Sequence, residues 1–176
     1  MRKDEINKNV VASEGLKTDE FFMRAAIKEA VAAFDEGETP VGCVIVRDGE
    51  IIVAAHNKRE KEKNALYHAE VLAIDKACRA LGGWRLPGCT LYVTLEPCPM
   101  CAGAIVSARI ERVVFGAKDP KAGAFGSVLN LNSYPLNHKP EIISGVLNRE
   151  CADMLSQFFI KKRKQICELN TLWHNF

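Results

Sequence analysis

The segment spanning residues 89–117 constrains the fold of this chain more than any other. CTLYVTL (Cys89–Leu95) is an apolar run rich in β-branched residues, which predicts a buried strand. Pro97 ends this strand and suits the start of a helix through MCAGAIVSA. RVVFGA (Arg112–Ala117) predicts a second strand. A strand–helix–strand crossover favours parallel pairing of its two strands, so these residues predict a sheet that is covered by helices.

Two elements precede this segment at the beginning of the chain. Apolar residues recur at near-helical spacing over residues 21–34, which predicts a helix with Thr18 or Asp19 as its cap and Gly37 as its end. The apolar runs VGCVIV and IIVAA then flank Asp48-Gly49. An Asp-Gly pair between two β-branched runs is a strong signal for a two-residue hairpin turn. The sequence therefore predicts that the first two strands are antiparallel.

The remaining elements complete a layered α/β fold. Residues 68–81 show one apolar helical face, and residues 118–140 form a long turn-rich loop that is either functional or ordered by short turns. A short apolar run at residues 142–146 predicts a fifth strand, and a final helix starts at Asn148 and ends in the basic run 161–164. This order predicts a three-layer α/β/α sandwich with a central mixed five-stranded sheet.

Length and composition indicate one globular domain. Of the 176 residues, 48% are hydrophobic and 26% are charged, which is ordinary for a globular protein, and a net charge of +2 does not by itself indicate nucleic-acid binding. The division we predict is a mobile N-terminal arm over residues 1–17, a single domain over 18–166 and a C-terminal tail over 167–176. No apolar run reaches membrane-spanning length, and seven cysteines argue against a disulfide framework, so we expect a cytoplasmic protein.

Cys98 and Cys101 stand in the hexapeptide EPCPMC, whose chemistry is ambiguous when taken alone. A C-x-x-C pair fits half of a metal site, a redox dithiol or a packed turn. A thioredoxin-like interpretation needs a lone dithiol, whereas a metal site needs further ligands elsewhere in the chain. The pair therefore leaves three alternatives open.

YHAEVLAI supplies the residues that decide between these alternatives. His68 starts one predicted helix and the two cysteines start another, and helix N-termini gather at one edge of an α/β sheet. One histidine and two cysteines bind zinc with an open position for water, which is typical of catalytic sites. His56 and His138 are expected in solvated loops rather than as a fourth ligand. Glu70 lies where a carboxylate could shuttle protons, and His-x-Glu followed by Pro-Cys-x-x-Cys is the signature of zinc deaminases.

Longer motifs extend this pattern over nearly the whole predicted domain. These are TPVGCVIV, the HN pair at residues 56–57, HAEVLAI, TLYVTLEPCPMCAGAIVSARIERVVFGAKDPKAGAFGS, the NH pair at residues 137–138 and ECADMLSQFFIKKRK. From about Asp19 to Lys164 the chain resembles the bacterial tRNA adenosine deaminases. The resemblance implies a cytidine-deaminase-like fold, one Zn²⁺ per chain, a homodimer and deamination of adenosine-34 to inosine at the wobble position of a tRNA anticodon.

The resemblance also implies roles for individual residues. His68, Cys98 and Cys101 would bind zinc, and a zinc-bound hydroxide would attack C6 of adenine with Glu70 as the proton shuttle. Asn57 would contact the purine. Six further residues match positions that face the ribose or the anticodon stem-loop: Arg85, Asp119, Lys121, Asn137, Phe159 and Arg163. The chain departs from the family pattern at Phe125, which is expected near the RNA path.

Two alternatives to a tRNA-directed enzyme follow from the same motifs. Free-base or nucleoside deaminases that act on guanine or cytosine share His-x-Glu and Pro-Cys-x-x-Cys, but they need no basic surface. The basic run 161–164 beside Phe158 and Phe159 suits RNA backbone and stacking contacts, although a solvated helix end explains it equally well. A non-catalytic RNA-binding subunit would keep the metal ligands and lose the proton shuttle, whereas this chain has Glu70.

Overall fold

Helices and strands alternate along the chain in the order that the sequence predicts. The computed structural model describes residues 3–173. Its elements are α1 (Lys3–Asp35), β1 (Gly42–Arg47), β2 (Glu50–His56), α2 (Ala69–Leu81), β3 (Cys89–Leu95), α3 (Pro99–Ser107), β4 (Arg112–Ala117), a 3₁₀ turn (Leu131–Ser133), β5 (Glu141–Ser144) and α4 (Asn148–Trp173). The long loop after β4 contains a short 3₁₀ turn, in keeping with one of the two alternatives that its sequence left open.

The five strands form one mixed sheet in the order β2-β1-β3-β4-β5. β1 pairs antiparallel with β2 and β3, whereas β3–β4 and β4–β5 are parallel. Asp48 and Gly49 both have positive φ, at 52° and 79°. Left-handed conformations at both central positions match the right-handed twist of the flanking strands, so this turn is of the type that Asp-Gly predicts. The predicted hairpin and the mixed sheet are confirmed.

Alternate residues of the central strands supply the cores on the two faces of the sheet. Cys43 and Ile45 of β1 face a cluster that includes the alanines of α2 and Ile105 of α3. Val44 and Val46 face the opposite cluster, to which α1 and α4 contribute. Because side chains alternate along a strand, a fully buried strand has apolar residues on both faces. The predicted three-layer α/β/α sandwich is confirmed.

Asp19 ties α1 to the sheet instead of capping a helix. Its buried carboxylate accepts hydrogen bonds from Arg112 Nη1 and Nη2 at 2.8 and 2.7 Å and from the Tyr92 hydroxyl at 2.8 Å. Although burial favours the neutral form, the hydrogen bonds from Arg112 and Tyr92 hold the pKa of Asp19 below its usual value. The predicted cap at Thr18 or Asp19 is wrong because α1 starts at Lys3, and residues 3–18 contain no proline to stop it.

Two further details of the predicted elements need correction. Pro99, rather than Pro97, occupies the first turn of α3, where its missing N–H leaves no hydrogen bond unmade. The last helix passes through the basic run 161–164 and continues to Trp173. The division into an arm, a domain and a tail stays a prediction. Within residues 3–173, no helix has the length and apolar character needed to cross a membrane.

Candidate metal centre and substrate pocket

Two helix starts bring the predicted metal-binding residues to one edge of the sheet. His68 is the N-cap of α2 and Cys98 is the N-cap of α3, and both have extended backbone conformations. Neither side chain makes a capping hydrogen bond. N-cap side chains ordinarily accept a hydrogen bond from the first turn, so these two are left available for other partners.

The imidazole and the two thiols form a compact cluster. His68 Nδ1 lies 3.7 Å from Cys98 Sγ and 3.5 Å from Cys101 Sγ, and the three atoms all lie within 4.8 Å of one another. A tetrahedral zinc with ordinary Zn–N and Zn–S bonds separates its nitrogen and sulfur ligands by about 3.5 Å. One nitrogen and two soft sulfur donors at this separation fit zinc and leave one coordination position for water.

Hydrogen bonds inside the cluster set the ionisation of its members. The bonds with Cys101 and His68 lower the pKa of the Cys98 thiol well below its usual value, whereas the bond to Cys98 raises the pKa of Cys101. The hydrogen bond with Cys98 also raises the pKa of His68. Cys98 is therefore the thiol that ionises first, and the thiolate is the form that binds metals.

Glu70 lies beside the cluster in the first turn of α2. The residue is 4% exposed and lines the same pocket as His68 and Cys98. Burial raises the pKa of its carboxyl, which favours retention of a proton. A buried carboxyl group beside the His-Cys-Cys cluster, with its pKa raised by burial, is suited to general acid–base chemistry.

The pocket extends from the cluster to residues on four loops and strand ends. It is lined by Thr39, Val41, Asn57, Arg59, His68, Glu70, Leu95, Glu96, Cys98, Asp119 and Ala122. The structure thus brings together the candidate metal ligands, Glu70 and two of the predicted substrate-binding residues, Asn57 and Asp119. Cys101 is fully buried and does not line the pocket.

Two buried carboxylates whose roles the sequence did not reveal, Glu38 and Glu96, hold other residues of the pocket in place. Glu38 is 1% exposed and accepts hydrogen bonds from Asn57 Nδ2 at 3.1 Å and from the amide of Lys61 at 2.7 Å. It follows the end of α1 in an irregular segment, and its partners are 19 and 23 residues away. No periodicity or motif in the sequence indicates such a contact.

Glu96 holds the loop that carries Asp119. It is 2% exposed and accepts hydrogen bonds from the amides of Asp119, Phe125 and Ser127 at 3.0–3.1 Å and from the Ser127 hydroxyl. Although burial favours the neutral form, the hydrogen bonds from Ser127 and from the loop amides lower the pKa of Glu96. A side chain at Gly123 would collide with this carboxylate, so the loop packs directly against it.

Comparison with known proteins agrees with this geometry. Residues 16–117 match the family described as the cytidine and deoxycytidylate deaminase zinc-binding region. A tRNA-specific adenosine deaminase of Bacillus subtilis (strain 168) is 58% identical over 148 residues, which cover 84% of this chain and 92% of that protein.

The chain belongs to the tRNA-specific adenosine deaminase family.

Two solved structures show how closely the fold is shared. A structure from a study of A-to-I editing by tRNA:A34 deaminases at the wobble position of transfer RNA has 45% identity and a TM-score of 0.74, and the match covers 76% of this chain and 98% of that one. The guanine deaminase of Bacillus subtilis has 33% identity and a TM-score of 0.55, with 67% and 86% coverage. Identity and structural overlap are therefore both higher for the tRNA deaminases, and zinc is the cofactor of this chain's domain.

Some of the residues that resemble RNA-contacting positions lie far from the pocket. Arg85 precedes β3 and stacks on Trp84 with its guanidinium carbon 4.4 Å from the ring centroid, and Asn137 precedes β5 and accepts a hydrogen bond from Arg109 at 2.6 Å. The pocket residues follow the carboxyl ends of β3 and β4, which run parallel to each other and to β5. Arg85 and Asn137 are therefore at the opposite sheet edge, roughly 20 Å away along a strand of this length.

The other predicted RNA contacts lie on the same side as the pocket but outside it. The Asp119 carboxylate accepts hydrogen bonds from the amides of Lys121 and Ala122, which leaves the Lys121 side chain exposed at the pocket rim. Phe159 and Arg163 are exposed and lie four residues apart on α4, so they share a helix face. α4 reaches the end of α1 through the contact of Phe158 with Phe34, near the segment that carries Glu38.

Two histidines are placed differently from expectation, and one phenylalanine of the loop after β4 is buried. His56 is the last residue of β2, and its Nδ1 lies 2.7 Å from a Glu29 carboxylate oxygen, so it is not in a solvated loop. His138 is half-buried and its Nε2 hydrogen-bonds the Ile110 carbonyl at 2.6 Å. Phe125 is buried in the core cluster that includes Ile105 of α3, and its amide donates to Glu96 at 3.0 Å; its expected place near an RNA path stays a prediction.

Proposed function

We propose that this chain catalyses the hydrolytic deamination of adenosine to inosine at the wobble position of a tRNA anticodon. The proposal rests chiefly on one observation: a His-Cys-Cys cluster, a buried carboxylate and two polar side chains suited to a nucleoside converge on one pocket. The tRNA-specific deaminases to which the chain is 44–58% identical support this substrate.

His68, Cys98 and Cys101 are the residues that we propose to hold the zinc. When bound, zinc in a three-ligand protein site supplies Lewis acidity that makes water nucleophilic near neutral pH. The N-terminus of α3 favours the thiolate forms of the two cysteines. His68 presents Nδ1 to the cluster, and this is the nitrogen that lies within 3.7 Å of both sulfurs.

Glu70 moves the protons of the reaction. It accepts a proton from the attacking water and donates it to N1 of adenine while the water oxygen bonds to C6. It then carries the second water proton to N6, the C6–N6 bond breaks, and ammonia leaves. Adenosine and water thus become inosine and ammonia with no other reactant. Positioned proton transfer of this kind contributes about 10²- to 10⁴-fold in rate.

Asn57 and Asp119 orient the nucleoside in front of this machinery. Asn57 contacts the purine, and Asp119 contacts the ribose from the loop that Glu96 holds. A base in an anticodon loop is already unpaired, so turning it into the pocket costs little. Lys121 at the pocket rim and Phe159 with Arg163 on α4 contact the anticodon stem-loop outside the pocket, by phosphate pairing and stacking.

We further propose that the chain acts as a homodimer in the cytoplasm, where tRNA is available. Arg85 and Asn137 lie at the sheet edge opposite the pocket of their own chain, roughly a strand length away. In a second copy, the pocket could lie nearer to these residues than the pocket of their own chain does. A homodimer in which each copy supplies these residues to the other accounts for their placement.

Mass spectrometry of an anticodon stem-loop tests the proposed function. The zinc-loaded protein should replace one amine by a carbonyl oxygen in a stem-loop with adenosine at the wobble position, and it should leave a stem-loop with guanosine there unchanged. Free adenosine, guanine and cytosine should not react. Turnover of free guanine without any change in the RNA would favour a free-base deaminase instead.

A further inference from the structure

We infer that Glu38 is a positioning residue that fixes the side-chain amide of Asn57 in one orientation toward the pocket. Asn57 directly follows β2, and Glu38 lies in the segment between α1 and β1. The contact joins Asn57 Nδ2 to Glu38 Oε2 at 3.1 Å, and both side chains are buried. Asn57 is a pocket residue and Glu38 is not, so Glu38 acts through Asn57.

Hydrogen bonds hold both the backbone and the side-chain carboxylate of Glu38 in place. Its backbone amide donates to the Ala33 carbonyl at 2.9 Å, which ties it to the last turns of α1. Its Oε1 accepts from the Lys61 amide at 2.7 Å, in the loop that leads to His68. The Asn57 amide in turn donates to the Val41 carbonyl at 3.0 Å. These bonds leave the Glu38 carboxylate no freedom to follow a rotation of Asn57.

The chemistry of the pair determines which atom of Asn57 faces the substrate. An ionised carboxylate only accepts hydrogen bonds, so the amide must turn its nitrogen toward Glu38 and its oxygen away. No described residue donates to Asn57 Oδ1, and this oxygen is not among the buried polar atoms that lack a partner. Asn57 therefore presents an acceptor oxygen and its second N–H to whatever occupies the pocket.

Replacement of Glu38 by Gln should reverse this arrangement. The Lys61 amide needs an acceptor, so the amide oxygen of the new side chain stays there and its NH₂ group faces position 57. Two NH₂ groups cannot pair, so Asn57 must turn by half a rotation and present its nitrogen to the pocket. The inference rests on the proposed function insofar as the occupant is the target nucleoside.

A charge swap between the two positions tests the inference. In Glu38→Gln combined with Asn57→Asp, the carboxamide donates to the carboxylate, and the second oxygen of position 57 faces the pocket as an acceptor. The Glu38→Gln and Asn57→Asp single variants should each lose about 10- to 100-fold in kcat/KM on the anticodon stem-loop, mainly through KM. The double variant should recover about tenfold over the weaker single variant, because the acceptor is restored while the N–H is not.

Glu36→Gln is the matched control. Glu36 is two residues away, is partly exposed and pairs with the Lys61 ammonium at 3.2 Å rather than with a pocket residue. Its substitution should leave kcat/KM unchanged. Zinc content should equal that of the wild type in all variants, since none of these positions is a proposed ligand.

The melting temperatures of the same variants provide a second test, which requires no substrate. Glu38→Gln and Asn57→Asp should be coupled: the double variant should lose less melting temperature than the two single variants lose in sum. If the melting temperatures show no coupling between positions 38 and 57, the inference is overturned. It is also overturned if the melting temperatures are coupled but the double variant recovers no kcat/KM. A wild type that melts normally and binds zinc but does not deaminate the stem-loop would count against the proposed function, while the melting cycle would still decide whether Glu38 holds Asn57.

Discussion

The metal side and the carboxylate side of the pocket use their polar atoms in opposite ways. On the metal side, His68 and Cys98 occupy N-cap positions without capping their helices, and Glu70 is buried with a raised pKa. On the carboxylate side, Glu38 and Glu96 use their oxygens to accept hydrogen bonds from loops. Burial alone therefore does not identify a reactive group, because Glu70 and Glu96 are both buried while the pKa of Glu70 is raised and that of Glu96 is lowered.

Loss of a metal-side thiol should have the largest effect of any substitution here. Cys101→Ala leaves two of three proposed ligands, so we expect both zinc and activity to be lost together. Metal analysis by mass spectrometry and the stem-loop assay measure the two quantities on one sample. A variant that retains full activity without zinc would contradict the assignment of the site.

Glu70→Gln should separate chemistry from metal binding. The amide keeps the size of the side chain but cannot accept or carry a proton, so kcat should fall by about 10²- to 10⁴-fold. Zinc content and melting temperature should stay at wild-type values, since Glu70 is not a proposed ligand. Equal losses of zinc and activity would show instead that Glu70 supports the metal.

On the carboxylate side, Glu96→Gln should weaken the loop rather than the chemistry. The amide can serve fewer of the donors that converge on Glu96, and each stranded amide costs about 1–3 kcal/mol. We expect a lower melting temperature and a higher KM, with zinc content unchanged. Ser127→Ala removes one of the same donors without stranding an amide, so its effect should be smaller. A normal KM for Glu96→Gln would contradict the role of this carboxylate in placing Asp119.

Subunit mixing tests whether Arg85, which lies outside the pocket of its own chain, acts at the pocket of a second copy. Arg85→Ala should lower kcat/KM by about tenfold through lost RNA contact. The Arg85→Ala chains are then mixed and refolded with inactive Glu70→Ala chains. In each hybrid dimer, one site has Glu70 from the Arg85→Ala chain and Arg85 from the Glu70→Ala chain. Activity per intact Glu70 should therefore rise above that of Arg85→Ala alone. If mixing gives no gain, Arg85 does not act across a dimer.

The pH dependence of the free energy of unfolding should reveal the contribution of Asp19, a buried carboxylate outside the pocket that accepts several hydrogen bonds. Its pKa is lowered from 3.8, so its bonds to Arg112 and Tyr92 stabilise the fold above that pH and are lost as the pH falls through the folded pKa. Asp19→Asn should cost about 1–3 kcal/mol near neutral pH. Urea unfolding at about pH 7 and about pH 3 should show the difference from wild type shrinking on acidification. A difference that does not change with pH would mean that the ion pair contributes nothing.

The sequence predicted the parts of the fold that depend on local chemistry. Asp48-Gly49 indicated a turn, apolar runs indicated the five strands, and helical spacing or a proline indicated the four helices found within residues 3–173. His68 and Cys98 were predictable as neighbours because parallel strands bring helix starts to one edge. Glu38 and Glu96 were not predictable, because their hydrogen bonds join residues 19 to 31 positions apart in segments without periodicity.

The remaining mismatches have a common physical cause. α1 starts at Lys3 although Thr18 and Asp19 carry good capping side chains, and the Asp19 carboxylate binds Arg112 of the sheet instead. His56 was expected in solvent but pairs with Glu29 of α1. In both cases a partner from a distant element decides what a polar side chain does, and local propensity does not contain that information.

Both metal-side motifs can be understood as angular positions around a helix axis. Cys98 and Cys101 are the N-cap and third residue of α3, and His68 and Glu70 are the N-cap and second residue of α2. Each residue advances a helix by about 100°, so one insertion between Cys98 and Cys101 would swing the second sulfur to another face of α3. The number of residues between the two members of each motif therefore fixes the angle between their side chains around the helix axis. Substitution of the intervening residues preserves this angle, whereas an insertion or a deletion changes it.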